Sequence, residues 1–343
     1  MISMRTRRTH GLRLGLGRLE VLVLLAAGCI VFAIGLLWLK GAYRTEVIGQ
    51  CQVNVKNLSL AAVQYENASG AFPGYCVDFG TFHPPDEIAQ HGRSEAHRKI
   101  GTWTVALLPW LDCQPTYETW TLDRYPIVFA DGVGDAFSEG GSGYGFNRES
   151  APDLRLLQCP RNPHRNVEHG RNSYVVNAGM FAGNGVATTA AMSAANGVFN
   201  NKFPGRLADG TTAAVGPRVT MDDLHDGLSM TVLFSESVQA MPWHRTGFLT
   251  ADDLIIDSDE SDVGNVITDG PRKPSEVRFD PLSQFTQGMV WHAEDDVVGN
   301  RPVKPIHRIN GTHQGVALID LFMTQENAAD VARPSSRHHQ GVN

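Results

Sequence analysis

Between Val21 and Leu39 the chain carries no charged residue, and this run constrains everything around it. At ~1.5 Å per residue an α-helix of that length reaches roughly 28 Å, about one hydrocarbon core. Five arginines (Arg5, Arg7, Arg8, Arg13 and Arg18) precede it. The positive-inside bias therefore places the N-terminus in the cytoplasm and the rest outside. A cleaved signal peptide has a shorter apolar core and a small-x-small site behind it. Here WLKGAYR follows, so a retained anchor is expected. The reading is a single-pass protein of the inner (cytoplasmic) membrane, with its main domain periplasmic or extracytoplasmic.

No proline interrupts the continuation. Ile48, Cys51, Val55, Leu58, Ala62 and Tyr65 recur at three- and four-residue steps, which makes one apolar helical stripe. Gln50, Asn54, Lys56, Asn57, Gln64 and Glu66 fill the other faces. Gly70 supplies a stop and Pro73 blocks renewal. Three segments result: a basic cytoplasmic leader (1–15), a transmembrane and stalk helix (16–69) and an extracytoplasmic domain (70–343). With 35 Gly, 18 Pro and only 19% charged residues, the last segment should be rich in turns and short strands. The predicted class is α+β: a long N-terminal helix packed on an antiparallel sheet with long loops. A net charge of −7, with the basic cluster confined to the N-terminus, argues against nucleic acid as a partner.

Cys29 sits in the apolar run. Cys51, Cys76, Cys113 and Cys159 are widely spaced without a C-x-x-C pair, a pattern that argues against zinc. In an oxidising compartment they permit three disulfide pairings; we expect Cys51–Cys159 with Cys76–Cys113. Residues 74–100 read as loop, with His83, His91 and His97 as surface histidines. The Gly-rich stretch 131–150 reads as turns, because no P-loop lysine follows. SYVVNAG (173–179) and MTVLFSESV (230–238) read as strands, the second the clearest buried one, and residues 180–216 as a long exposed excursion. FTQGMVWHAEDD and GVALIDLF (315–322) read as further strands. Six carboxylates (Asp252, Asp253, Asp257, Asp259, Glu260 and Asp262) form a loop that could hold Ca²⁺, although EF-hand spacing is absent. A solvated acidic loop is the plainer reading, and no other cofactor is expected. Ser235, Glu236, His292, His338 and His339 are the candidates for nucleophilic catalysis. No G-x-S-x-G elbow or H-E-x-x-H motif supports them, so a non-enzymatic protein is expected.

Two resemblances add to this. Gly15, Leu16 and Glu20 resemble the processing frame of type IV prepilins and type II secretion pseudopilins, with a cut after the glycine and Glu at mature position five. LGRLE stands in place of the usual FTLxE, so Arg18 departs from that frame. The segment from Cys51 to Pro73 resembles C-x-x-N-L-K-Q-L-x-L-A-x-x-x-Y-x-x-x-x-G-x-F-P of a large family of uncharacterised bacterial pseudopilin-like proteins. Further stretches resemble that family in order: GTWTVALLPWLDCQPTYETW (101–120), LQCPRNP (157–163), NSYVVNAG (172–179), DGLSMTVLFSESV (226–238) and RPSSRHHQGVN (333–343). The resemblance implies a pilin-like sheet around the helix's second half and a structural subunit of a secretion or pilus-type assembly. Other pseudopilins and a prepilin peptidase would be its partners. It also implies a final strand beyond Asn343, hence a shortened C-terminus. The alternative is an anchored module that presents residues 180–216 and 251–262 to a ligand or surface polymer.

Overall fold

A computed structural model describes residues 17–84, 96–128, 145–162, 169–181, 188–256, 277–292, 309–311, 323–338 and 342. The chain divides into two compact units, Met1–Val47 and Ile48–Asn343. Helix α1, Arg18–Ser69, belongs to both. In the first unit, Arg18–Trp38 is long and apolar enough to cross a membrane, with a mean hydropathy of 2.8, and none of its side chains is buried. The helix is preceded by Gly17, whose amide donates to Glu20 Oε2 at 2.9 Å. Glu20 thus satisfies one of the amides that every helix start leaves without an intrahelical partner.

In the second unit α1 presents one face to a core. Cys51, Asn54, Leu58, Ala61, Ala62 and Glu66 are buried there, with Val55 and Tyr65 packed alongside. The stripe has the predicted period but two polar members that periodicity had placed in solvent. Asn54 Nδ2 donates to Gln158 O and to Tyr174 Oη, both at 3.2 Å. Glu66 Oε1 accepts from Met221 N at 3.1 Å. A buried polar group is tolerable only when bonded in this way. The helix stops as expected, with Gly70 at φ +74.

Strands β1 (Val77–Phe82) and β2 (His97–Gly101) form an antiparallel pair with a bulge between Asp78 and Thr81. Parts of the predicted 74–100 loop are therefore sheet. His97 is no surface residue: its Nε2 accepts from Ile127 N at 3.0 Å and its ring stacks on Phe82. His91 lies outside the described residues. Two short helices follow, α2 (Trp103–Leu107) and α3 (Gln114–Thr121).

A three-stranded sheet has the order β4-β3-β5, from β3 (Tyr174–Met180), β4 (Phe234–Glu236) and β5 (Gly288–Trp291). β3 pairs with β4 antiparallel and with β5 parallel. The sheet is therefore mixed, which corrects the all-antiparallel expectation. A parallel neighbour requires a long crossover, and the chain between β3 and β5 supplies it. Much of residues 180–216 lies in that crossover, and its described part is an exposed excursion only over 206–215, where most residues face solvent; the part before it packs into the core. Phe199 and Phe203 are fully buried, as are Asn200 and Asn201. Of the predicted strand 230–238, only Phe234–Glu236 is extended and buried; Met230 and Val232 face solvent. In FTQGMVW the first residues are helical, within α6 (Ser283–Gln287), the helix after α4 (Thr188–Ala191) and α5 (Ala251–Leu254). GVALIDLF lies outside the described residues. The last helix is α7 (Ala328–Val331).

The core centres on tryptophans. Trp103, Trp120 and Trp243 are fully buried, and each indole N–H has a carbonyl: Gln287 at 3.2 Å, Ser150 at 2.9 Å and Pro152 at 3.1 Å. Trp103 meets Phe234 edge-on at 5.3 Å, and Phe234 meets Phe199 at 5.4 Å. Such rings combine large apolar area with one polar atom that must be satisfied.

Candidate functional site

The most chemically loaded place among the described residues lies where α1, the segment before β3, the end of β4 and the C-terminal segment meet. Each part is positioned by its own sequence. The stripe on α1 turns Cys51 inward, and a 3-10 turn over Arg155–Leu157 leads to Cys159, whose amide donates to Ser173 Oγ at 2.9 Å. Cys51 and Cys159 form a disulfide, with Cα atoms 5.2 Å apart. Glu236 ends β4, opposite Tyr174 in the antiparallel register.

The C-terminal segment is fixed residue by residue. Ser335 N donates to Glu236 O at 2.8 Å, Ser336 N to Asn310 Oδ1 at 2.7 Å, Arg337 N to Asn162 Oδ1 at 3.1 Å and His338 N to Ser336 Oγ at 3.1 Å. This delivers the His338 ring to the disulfide. Its Nε2 lies 3.3 Å from Cys159 Sγ and 3.2 Å from Glu236 Oε1. The side chains of His338 and Glu236 are 3% and 0% exposed. Neither a disulfide sulfur nor a carboxylate has a proton to give, so the imidazole proton belongs on Nε2, where it donates to Glu236. Nδ1 then has no hydrogen-bond partner among the described residues.

Tyr174 and Asn54 border the cluster. Burial first, then the charge of Glu236, hold the Tyr174 phenol well above its ordinary range, while the hydrogen bond from Asn54 pulls the other way. Outside the cluster a groove of about 500 Å³ is lined by Gln50, Arg155, Gln158, Cys159, Pro160, Asn162 and Arg171. Cys159 thus touches both the groove and the buried cluster. Arg171 also faces Asp153 at 3.6 Å.

The other expected site residues are placed differently. Cys76 and Cys113 are free thiols, which corrects the second disulfide. Each is held by its own segment: Cys76 O accepts from Lys202 N at 2.9 Å, and Cys113, opening α3, donates its amide to Leu108 O at 3.0 Å. Burial pushes both thiols up, with Asp78 and Asp280 adding to the effect at Cys76 and Asp112 at Cys113. Gly15 and Leu16 lie outside the described residues, as do Asp257, Asp259, Glu260 and Asp262. Of the calcium candidates that remain, Asp253 is already engaged. It accepts from Thr250 N and Oγ1 at 2.8 and 3.0 Å and pairs with Arg278 at 2.7 Å. Asp252 lies in α5. His292 Nε2 faces Ala329 O at 3.1 Å, and His339 is outside the described residues.

Glu236 and His338 had been separate candidates for catalysis; the fold joins them, but to a disulfide. Each member of the cluster lies in one of the ordered family motifs, and that coincidence was the available signal. Residues 49–343 match the family described as "Protein of unknown function (DUF1559)", SBP_bac_10. The described fold is a mixed helix and sheet domain that follows an apolar N-terminal helix in the chain. The chain belongs to the DUF1559 family. No curated protein and no solved structure matches it.

Proposed function

We propose that this chain is a non-enzymatic, membrane-anchored, pseudopilin-like structural subunit of a type II secretion or type IV pilus-like assembly. The carrying observation is α1. Its apolar stretch Arg18–Trp38 has no buried side chain, and its later turns are built into a domain core. Among the described residues nothing buries that apolar surface; lipid and the equivalent helices of other subunits suit it. The Cys51–Cys159 disulfide agrees with an extracytoplasmic domain. Leu16 would be the mature N-terminus, and Glu20 would meet a neighbouring subunit's terminal amine.

Glu20 also has a local role at the helix start, so the test must separate the two. Glu20→Gln keeps an oxygen for the Gly17 amide but removes the charge. Assembly is read by cross-linking between subunits in membranes, and the mature N-terminus by mass spectrometry. A start at Leu16 and cross-links lost in Glu20→Gln are expected. A start at Met1 with cross-linking unchanged in the variant would leave only an anchor.

A second reading, an anchored ligand- or surface-polymer-binding module, is favoured by the groove with Arg155 and Arg171. Its ligand would carry carboxylates, and Arg155→Ala with Arg171→Ala should abolish retention on an immobilised polyuronate.

A further inference from the structure

We propose that the Cys51–Cys159 disulfide, once reduced, becomes a zinc site completed by Glu236 and His338. One sulfur from each cysteine, one oxygen of Glu236 and one ring nitrogen of His338 lie within 4.8 Å of one another, and all four residues are buried. Zinc takes four ligands of these types at ~2.0–2.3 Å, which puts tetrahedral ligands roughly 3.3–3.8 Å apart. Two edges of that tetrahedron are already set: His338 Nε2 to Cys159 Sγ at 3.3 Å and to Glu236 Oε1 at 3.2 Å. The largest change required is the separation of the two sulfurs, which a broken S–S bond permits.

The chemistry balances. A dithiol reductant gives two electrons and two protons to the disulfide, yielding two cysteine thiols and its own disulfide. Zn²⁺ then displaces both thiol protons, which leave to solvent, and binds the two thiolates. His338 coordinates as neutral imidazole through Nε2, its proton shifted to Nδ1, which has no hydrogen-bond partner among the described residues. Two thiolates and one carboxylate against Zn²⁺ leave a net charge of −1 in the cluster. The groove along Cys159 is the entry path for reductant and metal. The site is independent of whether the chain assembles into a filament.

The test uses the full chain in detergent. It is reduced without oxygen by a water-soluble phosphine, which takes its oxygen from water, and is then titrated with Co²⁺ and Zn²⁺. One equivalent of Co²⁺ per reduced chain is expected, with the absorption of tetrahedral cobalt and a thiolate charge-transfer band, and Zn²⁺ should displace it. The oxidised chain should take up none. His338→Ala and Glu236→Gln should weaken uptake at least tenfold, whereas Cys113→Ser should leave it unchanged. If reduction loosens the fold, Zn²⁺ should restore the near-ultraviolet circular dichroism of the native protein. Absence of uptake by the reduced chain, or uptake that is the same in His338→Ala and Glu236→Gln, would overturn the proposal.

Discussion

Asn54 and Tyr174 stand 120 residues apart and share a buried hydrogen bond, Asn54 Nδ2 to Tyr174 Oη at 3.2 Å. The same amide reaches Gln158 O, and Gln50 Nε2 donates to Asn54 Oδ1 at 2.9 Å. One side chain therefore ties α1 to the segment before β3 and to β3 itself. Asn54→Leu would leave buried acceptors without their donor, at a cost of about 1–3 kcal/mol. Tyr174→Phe removes one partner and should cost less, about 1 kcal/mol. Urea unfolding of both variants checks the order, and the double variant should fall short of additivity.

The disulfide closes a sequence separation of 108 residues. Loop-closure entropy then assigns it about 4–5 kcal/mol, with measured removals of native disulfides usually at about 2–5. Cys51→Ala with Cys159→Ala should lower the urea midpoint accordingly without metal present. Cys113→Ala, at a half-buried free thiol, should change the unfolding free energy by less than about 1 kcal/mol.

Lys99 is set for a pH effect. Its Nζ donates to Thr119 O and Leu122 O, both at 2.7 Å, and burial lowers its pKa to about 8, against a weaker opposing pull from Asp123. Below that pH both folded and unfolded chains hold the proton. Between about 8 and the ordinary lysine value this group is protonated in the unfolded chain more than in the folded one, so its own contribution to stability rises with pH through that window. A neutral amine still has two protons for the two carbonyls. The buried Cys76 and Cys113 thiols, pushed up by burial, oppose this in the same window, so the Lys99 contribution is read as a difference: between pH 8 and pH 9.5 the urea midpoint of the wild type should gain relative to that of Lys99→Met. The upper limit stays below the range where the buried Tyr75 and Tyr174 phenols, both shifted up by burial, would matter.

Two glycines give opposite outcomes. A Cβ on Gly197 would lie 2.3 Å from the Gly179 Cα, backbone against backbone, and Gly179 itself sits at φ +93. Gly197→Ala should destabilise by more than about 3 kcal/mol or prevent folding. On α1, Gly49 has nothing within 4 Å of a Cβ among the described residues. Gly49→Ala should be neutral or stabilising by up to about 1 kcal/mol, since a helix favours alanine. Thermal melting of both reads the contrast.

The local features were determined by sequence alone. The uncharged run, the stripe from Cys51 to Tyr65 and the stop at Gly70 need only neighbours three or four residues away, and the helix followed them. SYVVNAG gave a strand because alternation and β-branching act locally. Asn54 and Glu66, by contrast, look solvent-facing to any periodicity rule. Only partners from distant segments, Tyr174 and Met221, make their burial affordable. The parallel pairing of β3 with β5, the burial of Phe199 and Phe203 and the release of Cys76 from Cys113 depend likewise on long-range packing. So does the cluster at the centre of the site. Cys51, Cys159, Glu236 and His338 are scattered over nearly the whole domain. Their convergence is set by a helix face, a strand register and a C-terminal segment pinned through Ser335 and Ser336, none of which spacing along the chain can express.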